Sequence, residues 1–492
     1  MKLYLYGHEY KYAAEQILLS LFPGERPEYP EGKPEGNRME ISLSRSARYC
    51  TAVCRFYKDG MRFMGRAAVS ADKLTSPILT DRHCQRLIKN AVYRAALSSG
   101  LRRPPWGALT GVRPGKLLCS LINSGLDKDT ALRRFISEYD VSPERAKLCM
   151  DTAEETLKAI GSLDEKDLCL YIGIPFCPTR CSYCSFVSQS VEKSMKLIEP
   201  FLAALHREIA ACAQQVKQLG LRVVSIYFGG GTPTTLSAKQ LDALCCALES
   251  QFDLSGLREY TVEAGRPDTI TWDKLEVLKK HGVDRISVNP QTMSDPVLEA
   301  IGRKHTAADI EEALSKVREL GGIAVNMDLI AGLPTDNAEG FRSTLDKVLE
   351  LSPENITVHT LSLKKGSTIT VEGAVIPGEA EVSQMLDYAG EKLRQAGYFP
   401  YYLYRQKFMS GGFENVGWTK AGYVNLYNIC IMEELCSIIA MGGGGSTKLI
   451  RHDGGRNIRL MVPKYPLEYI NSIDSICKEK QKISDFYTAS NG

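Results

Sequence analysis

Six short apolar segments alternate with amphipathic helical stretches along the middle of the chain. Each segment ends in glycine, proline or polar residues, which is typical of buried strands. Strands that alternate with helices pair in parallel, and right-handed crossovers let such a sheet curl into a barrel. The sequence therefore predicts an α/β fold with a partial (β/α)6 TIM-like barrel. The segments are LCLYIGIPF, VVSIYFGGG, REYTVEAG, DRISVNP, AVNMDLIAG and NITVHTLSL.

The helices between these segments are equally clear, and Ile198 to Leu219, Asp273 to Lys280 and Thr306 to Leu320 are predicted to be helical. In a parallel barrel the chemistry belongs at the carboxyl ends of the strands. The cysteine-rich stretch CPTRCSYC, residues 177 to 184, begins where the first predicted strand ends. This stretch is therefore the first candidate for a functional site.

The chain of 492 residues is long enough for about three domains. Residues 1–160 are predicted to form a basic N-terminal α+β domain, and residues 165–365 the barrel. The alternation then stops, so residues 366–492 are predicted to form a C-terminal accessory domain that covers the barrel mouth. Its segment MGGGGSTK, residues 441–448, lacks the residue order of a phosphate-binding P-loop, and a flexible turn is expected there.

Cys177, Cys181 and Cys184 offer three thiols on one short loop. A disulfide is disfavoured because three is an odd number and a reducing compartment is expected. A structural zinc site needs four ligands, and no second cysteine pair stands nearby. Three thiolates on a short loop suit a [4Fe–4S] cluster that leaves one iron open, because sulfur ligands select iron–sulfur chemistry.

The compartment is predicted from two absences in the sequence. The first residues turn polar early, without the long apolar run of a signal peptide. No apolar stretch approaches the 18 or so residues that a membrane-spanning helix needs. We therefore expect a cytoplasmic protein without a membrane partner, whose fifteen cysteines are reduced.

Positive charge is concentrated near the N-terminus. The net charge of the chain is +3, yet residues 41–120 carry fifteen Lys or Arg against three Asp, which leaves about −9 for the remainder. Such a segment indicates an acidic partner, an anionic substrate or a nucleic acid. A solvated face without any partner explains the same charge equally well.

The cysteine loop, set after a first barrel strand, resembles the radical S-adenosylmethionine (SAM) superfamily. The resemblance implies a [4Fe–4S] cluster held by Cys177, Cys181 and Cys184, with SAM bound to the open iron. Reduction of the cluster would cleave SAM and release a 5′-deoxyadenosyl radical. Tyr183, the aromatic residue before the last cysteine, would pack on the adenine of SAM.

Further motifs resemble one family within that superfamily, the oxygen-independent coproporphyrinogen III oxidases, also called coproporphyrinogen dehydrogenases. YIGIPFC places Tyr171 at a SAM-contacting position. FGGGTPT places Gly229, Gly230 and Gly231 where bare backbone approaches the SAM amino group, and TVEAG supplies Glu263 as a carboxylate beside SAM. The resemblance covers roughly residues 165–450, and the N-terminal extension and tail resemble in particular the HemZ type.

Gln291, Arg303 and Asp328 match three more SAM-contacting positions of the family. The planar guanidinium of Arg303 would bind the SAM carboxylate through two hydrogen bonds. Asp328 would accept a hydrogen bond from the ribose or the amino group. Taken together, the motifs imply a SAM site at successive strand ends.

The family implies oxidative decarboxylation of coproporphyrinogen III propionates to vinyl groups, which gives protoporphyrinogen IX. Two positions depart from the well-studied branch, because Phe186 stands where that branch has another cysteine and Gly173 where it has a histidine. The haem-chaperone branch also carries Phe at the first of these positions. A haem chaperone and a radical SAM methyltransferase acting on haem or RNA therefore stay open as alternatives.

The expected partners follow from the same reaction. They are a porphyrinogen substrate and a low-potential electron donor such as flavodoxin or ferredoxin, which the basic segment 41–120 would dock. A nucleic acid partner is not favoured by this reading of the charge.

Overall fold

The computed structural model describes residues 1–184, 189–190, 194–362, 375–406, 412–452 and 455–488. Contacts divide the chain into two compact units. The N-terminal unit comprises residues 1–150 with 405–413, and the barrel unit comprises residues 151–404 with 414–492. The three-part division made from the sequence stays a prediction. Phe186 lies outside the described residues.

The N-terminal unit contains a four-stranded sheet in the order β1 to β4. Strand β1 (Lys2–Tyr6) is parallel to β2 (Arg38–Arg45), and β3 (Tyr49–Lys58) and β4 (Met61–Ser70) follow as antiparallel neighbours. Side chains of β3 alternate between buried and exposed, so one face of the sheet meets the core.

Helices complete this unit. Helices α1 (Lys11–Leu21) and α2 (Pro77–Ser98) bury their apolar residues in the same core as the strands. Gly65 on β4 lets α2 approach closely, because a Cβ there would lie 2.1 Å from the carbonyl oxygen of Ala91. Three more helices follow, α3 (Pro114–Asn123), α4 (Lys128–Tyr139) and α5 (Pro143–Ser162).

The six predicted strands are confirmed, and they pair in parallel in sequence order. Each is followed by at least one helix that covers the sheet, so the α/β fold with a partial (β/α)6 barrel is confirmed as well. The strands are β5 (Asp167–Ile174), β8 (Arg222–Gly230), β9 (Glu259–Glu263), β10 (Arg285–Ser287), β11 (Ala324–Ala331) and β12 (Asn355–Thr360). Two short strands, β6 (Phe176–Cys177) and β7 (Gln189–Ser190), pair beside β5.

The helices of the barrel lie where amphipathic periodicity predicts them. They are α6 (Ile198–Leu219), α7 (Ala238–Gln251), α8 (Trp272–Lys280), α9 (Asp295–Ala300), α10 (Ala307–Leu320) and α11 (Ala338–Leu351). Capping explains several starts: Ser237 and Thr306 each form a capping box, and Asn337 accepts hydrogen bonds from the first turn of α11.

Strands from the last quarter of the chain extend the same sheet to eleven strands. Strand β14 (Glu414–Thr419) pairs antiparallel with β12 and lies beside β13 (Phe399–Arg405), whereas β15 (Ser437–Gly442) pairs parallel with β5. Strands β16 (Ser446–Leu449) and β17 (Ile458–Met461) continue that edge. MGGGGSTK therefore spans the end of β15, the turn at residues 443–445 and most of β16, and a strand follows the glycines where a P-loop has a helix.

Five helices accompany these strands: α12 (Glu379–Gln395), α13 (Leu426–Glu433), α14 (Pro466–Asn471), α15 (Ile473–Glu479) and α16 (Lys482–Thr488). A buried ion pair joins the connection between α15 and α16 to α6, because Lys480 Nζ lies 2.9 Å from Glu208 Oε1. The other oxygen of Glu208 accepts from the amide of Gly442 on β15. Among the described helices, none has an apolar stretch long enough to cross a lipid bilayer.

Candidate active site

The cysteine loop begins on β6, directly after the first barrel strand. The amide of Gly231 donates to the carbonyl of Ile174 at 2.8 Å, and the amide of Thr232 donates to that of Phe176 at 2.7 Å. The hydroxyl of Thr232 lies 3.5 Å from the sulfur of Cys177. The end of β8 therefore holds the first cysteine in place through backbone hydrogen bonds.

The rest of the loop is held by residues that follow α9 and β9. The amide of Ser182 donates to the carbonyl of Ile301 at 3.0 Å, and Arg266 donates to Thr179 at 2.8 Å. The amide of Cys184 bonds to the carbonyl of Cys181 at 3.1 Å, which closes a turn. Cys181 is buried, whereas Cys177 and Cys184 are half-buried.

The three loop sulfurs stand further apart than ligands of a single ion. Among the described residues, only two groups of three metal-ligating side chains have ligand atoms within 4.8 Å of one another, and these loop cysteines form neither. Ligands of a [4Fe–4S] cluster bind different corners of a cube and need that wider spread. The donor set, three thiols on one partly open loop, fits the cluster implied by the sequence.

The glycine motif at the end of β8 has two functions in the structure. A Cβ on Gly231 would lie 2.4 Å from the carbonyl oxygen of Phe176, so only glycine allows this approach to the cysteine loop. Gly229 faces the opposite way, where a Cβ would lie 3.2 Å from the carboxyl group of Glu263. Gly230 has φ +106°, a conformation that favours glycine.

Glu263 ends β9 and forms the polar centre of an aromatic group. The phenol of Tyr227 donates to its Oε1 at 2.6 Å. Tyr227 stacks on Tyr427 with ring centroids 4.4 Å apart, and Tyr171 stacks on both at 6.3 Å. Burial, followed by the negative charge of Asp328, raises the pKa of Glu263 to about 7, although the Tyr227 hydrogen bond opposes the shift.

The pKa of Asp328 on β11 is shifted in the opposite direction, below its ordinary value. Burial alone would raise its pKa, but interactions with His359, Asn326 and Thr357 outweigh burial and lower the pKa. Asn326 Nδ2 donates to Asp328 Oδ1 at 2.9 Å, and His359 Nε2 lies 3.7 Å from Oδ2. Asp328 is therefore ionised at neutral pH, beside a carboxyl group that is close to half protonated.

Gln291 lies beside Asp328 through the backbone. Its amide donates to the carbonyl of Asp328 at 2.9 Å, and its carbonyl accepts from the amide of Ile330 at 3.0 Å. Its φ of +67° is uncommon for a residue with a side chain. A strained conformation that two hydrogen bonds maintain is common at functional sites.

Arg303 is a buried cation without a carboxylate partner among the described residues. It donates to the carbonyls of Asn289 at 2.7 Å and Gly265 at 3.4 Å, and to the phenol of Tyr183 at 3.1 Å. Its Nε is buried without a hydrogen-bond acceptor. Because a buried charge is costly unless it is paired, this arrangement fits an anionic group bound next to it.

Tyr183 links the cysteine loop to Arg303. Its ring packs against an apolar group that includes Leu298, Ile301 and Leu333, and its hydroxyl accepts from Arg303. The predicted contact with adenine stays a prediction, as do the other SAM contacts proposed from the sequence. The glycine motif and Glu263 lie at the carboxyl ends of β8 and β9, and Gln291 follows β10, whereas Tyr171 and Asp328 lie within β5 and β11 and Arg303 follows α9.

Two polar residues of this region, Tyr227 and His305, were not identified from the sequence. Tyr227 shares a face of β8 with Gly229, and strand alternation could have identified it. His305 is 4% exposed, and neither of its ring nitrogens has a hydrogen-bond partner among the described residues. Burial, with the positive charges of Arg303 and Arg266, lowers its pKa to about 4, so the ring is neutral. No local pattern distinguishes this histidine from a core residue.

Comparison with known proteins identifies the class to which this site belongs. The family model described as the radical SAM superfamily matches residues 171–348. The crystal structure of the coproporphyrinogen III oxidase HemN from Escherichia coli, described as a radical SAM enzyme, has a TM-score of 0.51. It is 22% identical and covers 66% of this chain and 72% of its own, which supports the fold. The chain is a radical SAM protein.

Two curated relatives narrow the assignment. The oxygen-independent coproporphyrinogen-III oxidase-like protein HemZ of Bacillus subtilis is 39% identical over 420 residues, 83% of this chain and 84% of its own length. The haem chaperone HemW of the same species is 31% identical over 253 residues, 50% of this chain and 64% of its own. The chain therefore belongs to the family of oxygen-independent coproporphyrinogen III oxidases and related proteins, and it is of the HemZ type. A [4Fe–4S] cluster and SAM are the cofactors of this superfamily.

Proposed function

We propose that the protein oxidatively decarboxylates propionate side chains of coproporphyrinogen III without oxygen, giving the two vinyl groups of protoporphyrinogen IX. The observation that carries this proposal is the buried guanidinium of Arg303 beside the three-cysteine loop, which has no carboxylate partner among the described residues. A cation in that position is suited to the carboxylate of SAM. The 39% identity to a coproporphyrinogen-III oxidase-like protein supports the substrate class.

The bound cofactors would supply a 5′-deoxyadenosyl radical, which would take a hydrogen atom from the β-carbon of a propionate before CO2 is lost and one electron passes to a one-electron acceptor such as the oxidised electron donor. The residues of the chain have a different task, which is to bind and orient the reactants and to exclude water. Three parts of the site serve these tasks: Arg303, the carboxyl groups of Glu263 and Asp328, and the tyrosine stack.

The two carboxyl groups differ in their charge at neutral pH. Asp328, with its lowered pKa, is a permanent acceptor for a hydroxyl or ammonium group of SAM. Glu263, with a pKa of about 7, is held by Tyr227 and is able to keep or release a proton when a cation binds beside it. A positively charged SAM would favour the ionised form of Glu263.

The tyrosine stack closes the inner side of this site. Tyr171, Tyr227 and Tyr427 pack as parallel rings against an apolar group that includes Val224 and Ile438. A wall of stacked rings leaves little room for water, and excluding water strengthens the electrostatic interactions inside the site. Tyr171 would meet SAM from this wall.

The experiment is an anaerobic incubation of the full chain with a reductant, SAM and coproporphyrinogen III, followed by mass spectrometry. We expect a product that has lost two carboxyl groups as CO2, together with 5′-deoxyadenosine. Cys184→Ala should abolish both products, and Cys246→Ala, at an exposed position on α7, should abolish neither. SAM cleavage without decarboxylation would exclude this substrate.

A haem chaperone is the second candidate, favoured by the similarity to HemW. After residue 365 the sequence contains one histidine, His452, which is exposed. A chaperone should bind haem stoichiometrically and release no decarboxylated product. If haem binds and His452→Ala removes it while the incubation gives no product, the chaperone is the better assignment.

We also propose a cytoplasmic location and an acidic electron donor such as flavodoxin or ferredoxin. None of the fifteen cysteines, all of which lie within the described residues, is in a disulfide, and this supports a reducing compartment. Arg38, Arg55, Arg62 and Arg66 share the solvent face of the N-terminal sheet, since they alternate with buried residues on β2, β3 and β4. Such a basic face would attract an acidic protein.

A further inference from the structure

A cysteine of the first barrel strand meets two cysteines from near the C-terminus inside the barrel unit. Cys169 lies on β5, Cys430 on α13, and Cys436 directly before β15. Their sulfur atoms all lie within 4.8 Å of one another, and those of Cys169 and Cys436 are 3.6 Å apart. We call Cys169, Cys430 and Cys436 the buried trio. Each is at most 3% exposed.

The backbone explains how two members of the trio come together. Helix α13 ends at Glu433, and Glu434 takes a left-handed conformation with φ +56°. The amide of Leu435 then bonds back to the carbonyl of Cys430 at 3.3 Å. This reversal brings Cys436 against Cys430, and the parallel pairing of Ile438 with Cys169 adds the third thiol.

The cysteine content of the chain does not explain why these three thiols lie together. Cysteine supplies 15 of 492 residues, so three thiols from three segments are not expected at one point by chance. Buried cysteines can serve as small apolar residues, and the neighbours of the trio include Val224 and Ile438. Packing alone, however, gives no reason for three sulfurs to converge.

The spacing fits a single ion. Three sulfurs bound to one zinc ion at about 2.3 Å stand about 3.8–4.0 Å apart, so the trio needs only small side-chain movements. An iron–sulfur cube requires more widely separated thiolates, because each binds a different iron. Soft thiolate ligands favour Zn²⁺ and Cu⁺ over hard cations.

We propose that Cys169, Cys430 and Cys436 bind one thiophilic d10 cation, Zn²⁺ or Cu⁺, at a closed structural site separate from the cysteine loop. The ion would join β5, which leads into the cysteine loop, to α13 and β15 near the C-terminus. Since the trio is buried, the ion would enter while the chain folds and leave slowly. Zn²⁺ would take a fourth ligand from outside the trio, whereas Cu⁺ is satisfied by three thiolates.

The test measures metal in the full chain, expressed with zinc and copper and purified anaerobically. Elemental analysis should find close to one zinc or copper per chain besides iron, and X-ray absorption should show three sulfur neighbours at about 2.3 Å. Zinc with a fourth, lighter neighbour identifies Zn²⁺, and three sulfurs alone identify Cu⁺. This measurement needs no variant and is unaffected by folding defects.

Variants then locate the ion. Cys169→Ala and Cys436→Ala should lose it, whereas Cys54→Ala, at an equally buried position in the N-terminal unit, should retain it. The triple variant Cys177→Ala, Cys181→Ala, Cys184→Ala should keep the ion while losing iron, which separates this site from the cluster. Absence of any stoichiometric ion, a disulfide between Cys169 and Cys436, or loss of the ion only in the loop variant would overturn the proposal.

Discussion

The phenol of Tyr227 donates a 2.6 Å hydrogen bond to Glu263, and this pair lies directly beneath Gly229 of the glycine motif. Burial raises the pKa of Glu263 to about 7, while the hydrogen bond from Tyr227 favours the ionised form. The carboxyl group is therefore poised to change charge when a cation arrives. With SAM bound beside it as proposed, its protonation state would link SAM binding to pH.

Glu263→Gln should change how stability depends on pH. Because the folded pKa of about 7 exceeds the ordinary value of 4.5, the contribution of Glu263 is fully present below pH 4.5 and is lost as pH rises through 7. The variant stays neutral. In the absence of SAM, the free energy of unfolding of the variant minus that of the native chain should rise by about 2 kcal/mol from low pH to pH 8. This figure allows for the partial exposure of Glu263.

Denaturant unfolding at several pH values measures this difference. Glu276→Gln, at an exposed position on α8, is the matched control and should leave the pH profile unchanged. Tyr227→Phe should move the transition to higher pH, by up to about one unit, because the ionised form loses a hydrogen bond. Parallel profiles for the Glu263 variant and the native chain would refute the raised pKa.

Arg303→Lys should weaken SAM binding and leave the iron content unchanged. Lysine keeps the charge, but it cannot bind the carbonyls of Asn289 and Gly265 and still offer a planar pair of donors to a carboxylate. We expect a loss of about 1.5–3 kcal/mol, or about 10- to 150-fold in affinity. Equilibrium binding of SAM to the cluster-loaded protein measures it.

Tyr183→Phe provides the comparison for this variant, because it removes one hydrogen bond from Arg303 and keeps the guanidinium. It should weaken SAM binding by less than Arg303→Lys does. Equal SAM affinity in the native chain and Arg303→Lys would remove Arg303 from the site. Loss of iron in Arg303→Lys would instead indicate that Arg303 supports the cysteine loop.

Gly231→Ala should destabilise the protein and reduce cluster retention. The added Cβ would lie 2.4 Å from the carbonyl oxygen of Phe176, so β8 and the start of the cysteine loop must separate. A cost of about 2–4 kcal/mol is expected from such a backbone clash. Gly390→Ala on α12, with no atom within 4 Å of the new Cβ, should instead stabilise by about 0.5–1 kcal/mol.

Much of the barrel was predictable because its signals are local. Buried parallel strands are continuous apolar runs, and the ends of Ile198 to Leu219 match those of α6. Strand ends then identify candidate site residues, since all six strands point their carboxyl ends to one edge. The SAM contacts themselves came from family resemblance, and no contact in the structure tests them.

The remaining features depend on contacts between distant parts of the chain. Strand β15 begins at Ser437, 269 positions after its pairing partner Leu168 on β5, and no periodicity in the sequence shows that the two strands pair. The trio of Cys169, Cys430 and Cys436 arises from that pairing. The neutral ring of His305, which has no hydrogen-bond partner within the part of the chain that the structure describes, likewise depends on burial, and a single histidine in the sequence does not reveal burial.

The cluster ligands are tested by comparing two variants, one that replaces the three loop cysteines and one that replaces the buried trio. The triple variant Cys177→Ala, Cys181→Ala, Cys184→Ala should lose the roughly four irons per chain of a [4Fe–4S] cluster and its visible absorbance. The triple variant of Cys169, Cys430 and Cys436 is the control and should keep both. Iron retained in the loop variant but lost in the control would reassign the cluster.

The last prediction concerns electron delivery to the N-terminal unit's basic face. Arg55, Arg62 and Arg66 are carried on its solvent side by β3 and β4, and Lys58 lies at the exposed end of β3. Charges on such a face raise the association rate of an acidic donor, and salt screens this effect over about 8–10 Å. If the face instead steers the anionic substrate, or has no partner, the effect of its charges on the rate should not depend on which electron donor is used.

The measurement compares SAM cleavage driven by flavodoxin with cleavage driven by dithionite. Changing Arg55, Lys58, Arg62 and Arg66 to Gln should slow the flavodoxin-driven rate and leave the dithionite-driven rate unchanged. High salt should remove the difference between the variant and the native chain, because salt screens the charges of the native basic face. A control variant changes four exposed lysines of the barrel unit to Gln, namely Lys217, Lys239, Lys347 and Lys478. The control should retain the native flavodoxin rate, because it keeps the basic face. An equal loss with both reductants would indicate damage or substrate steering, and no loss with either would show that the donor docks elsewhere.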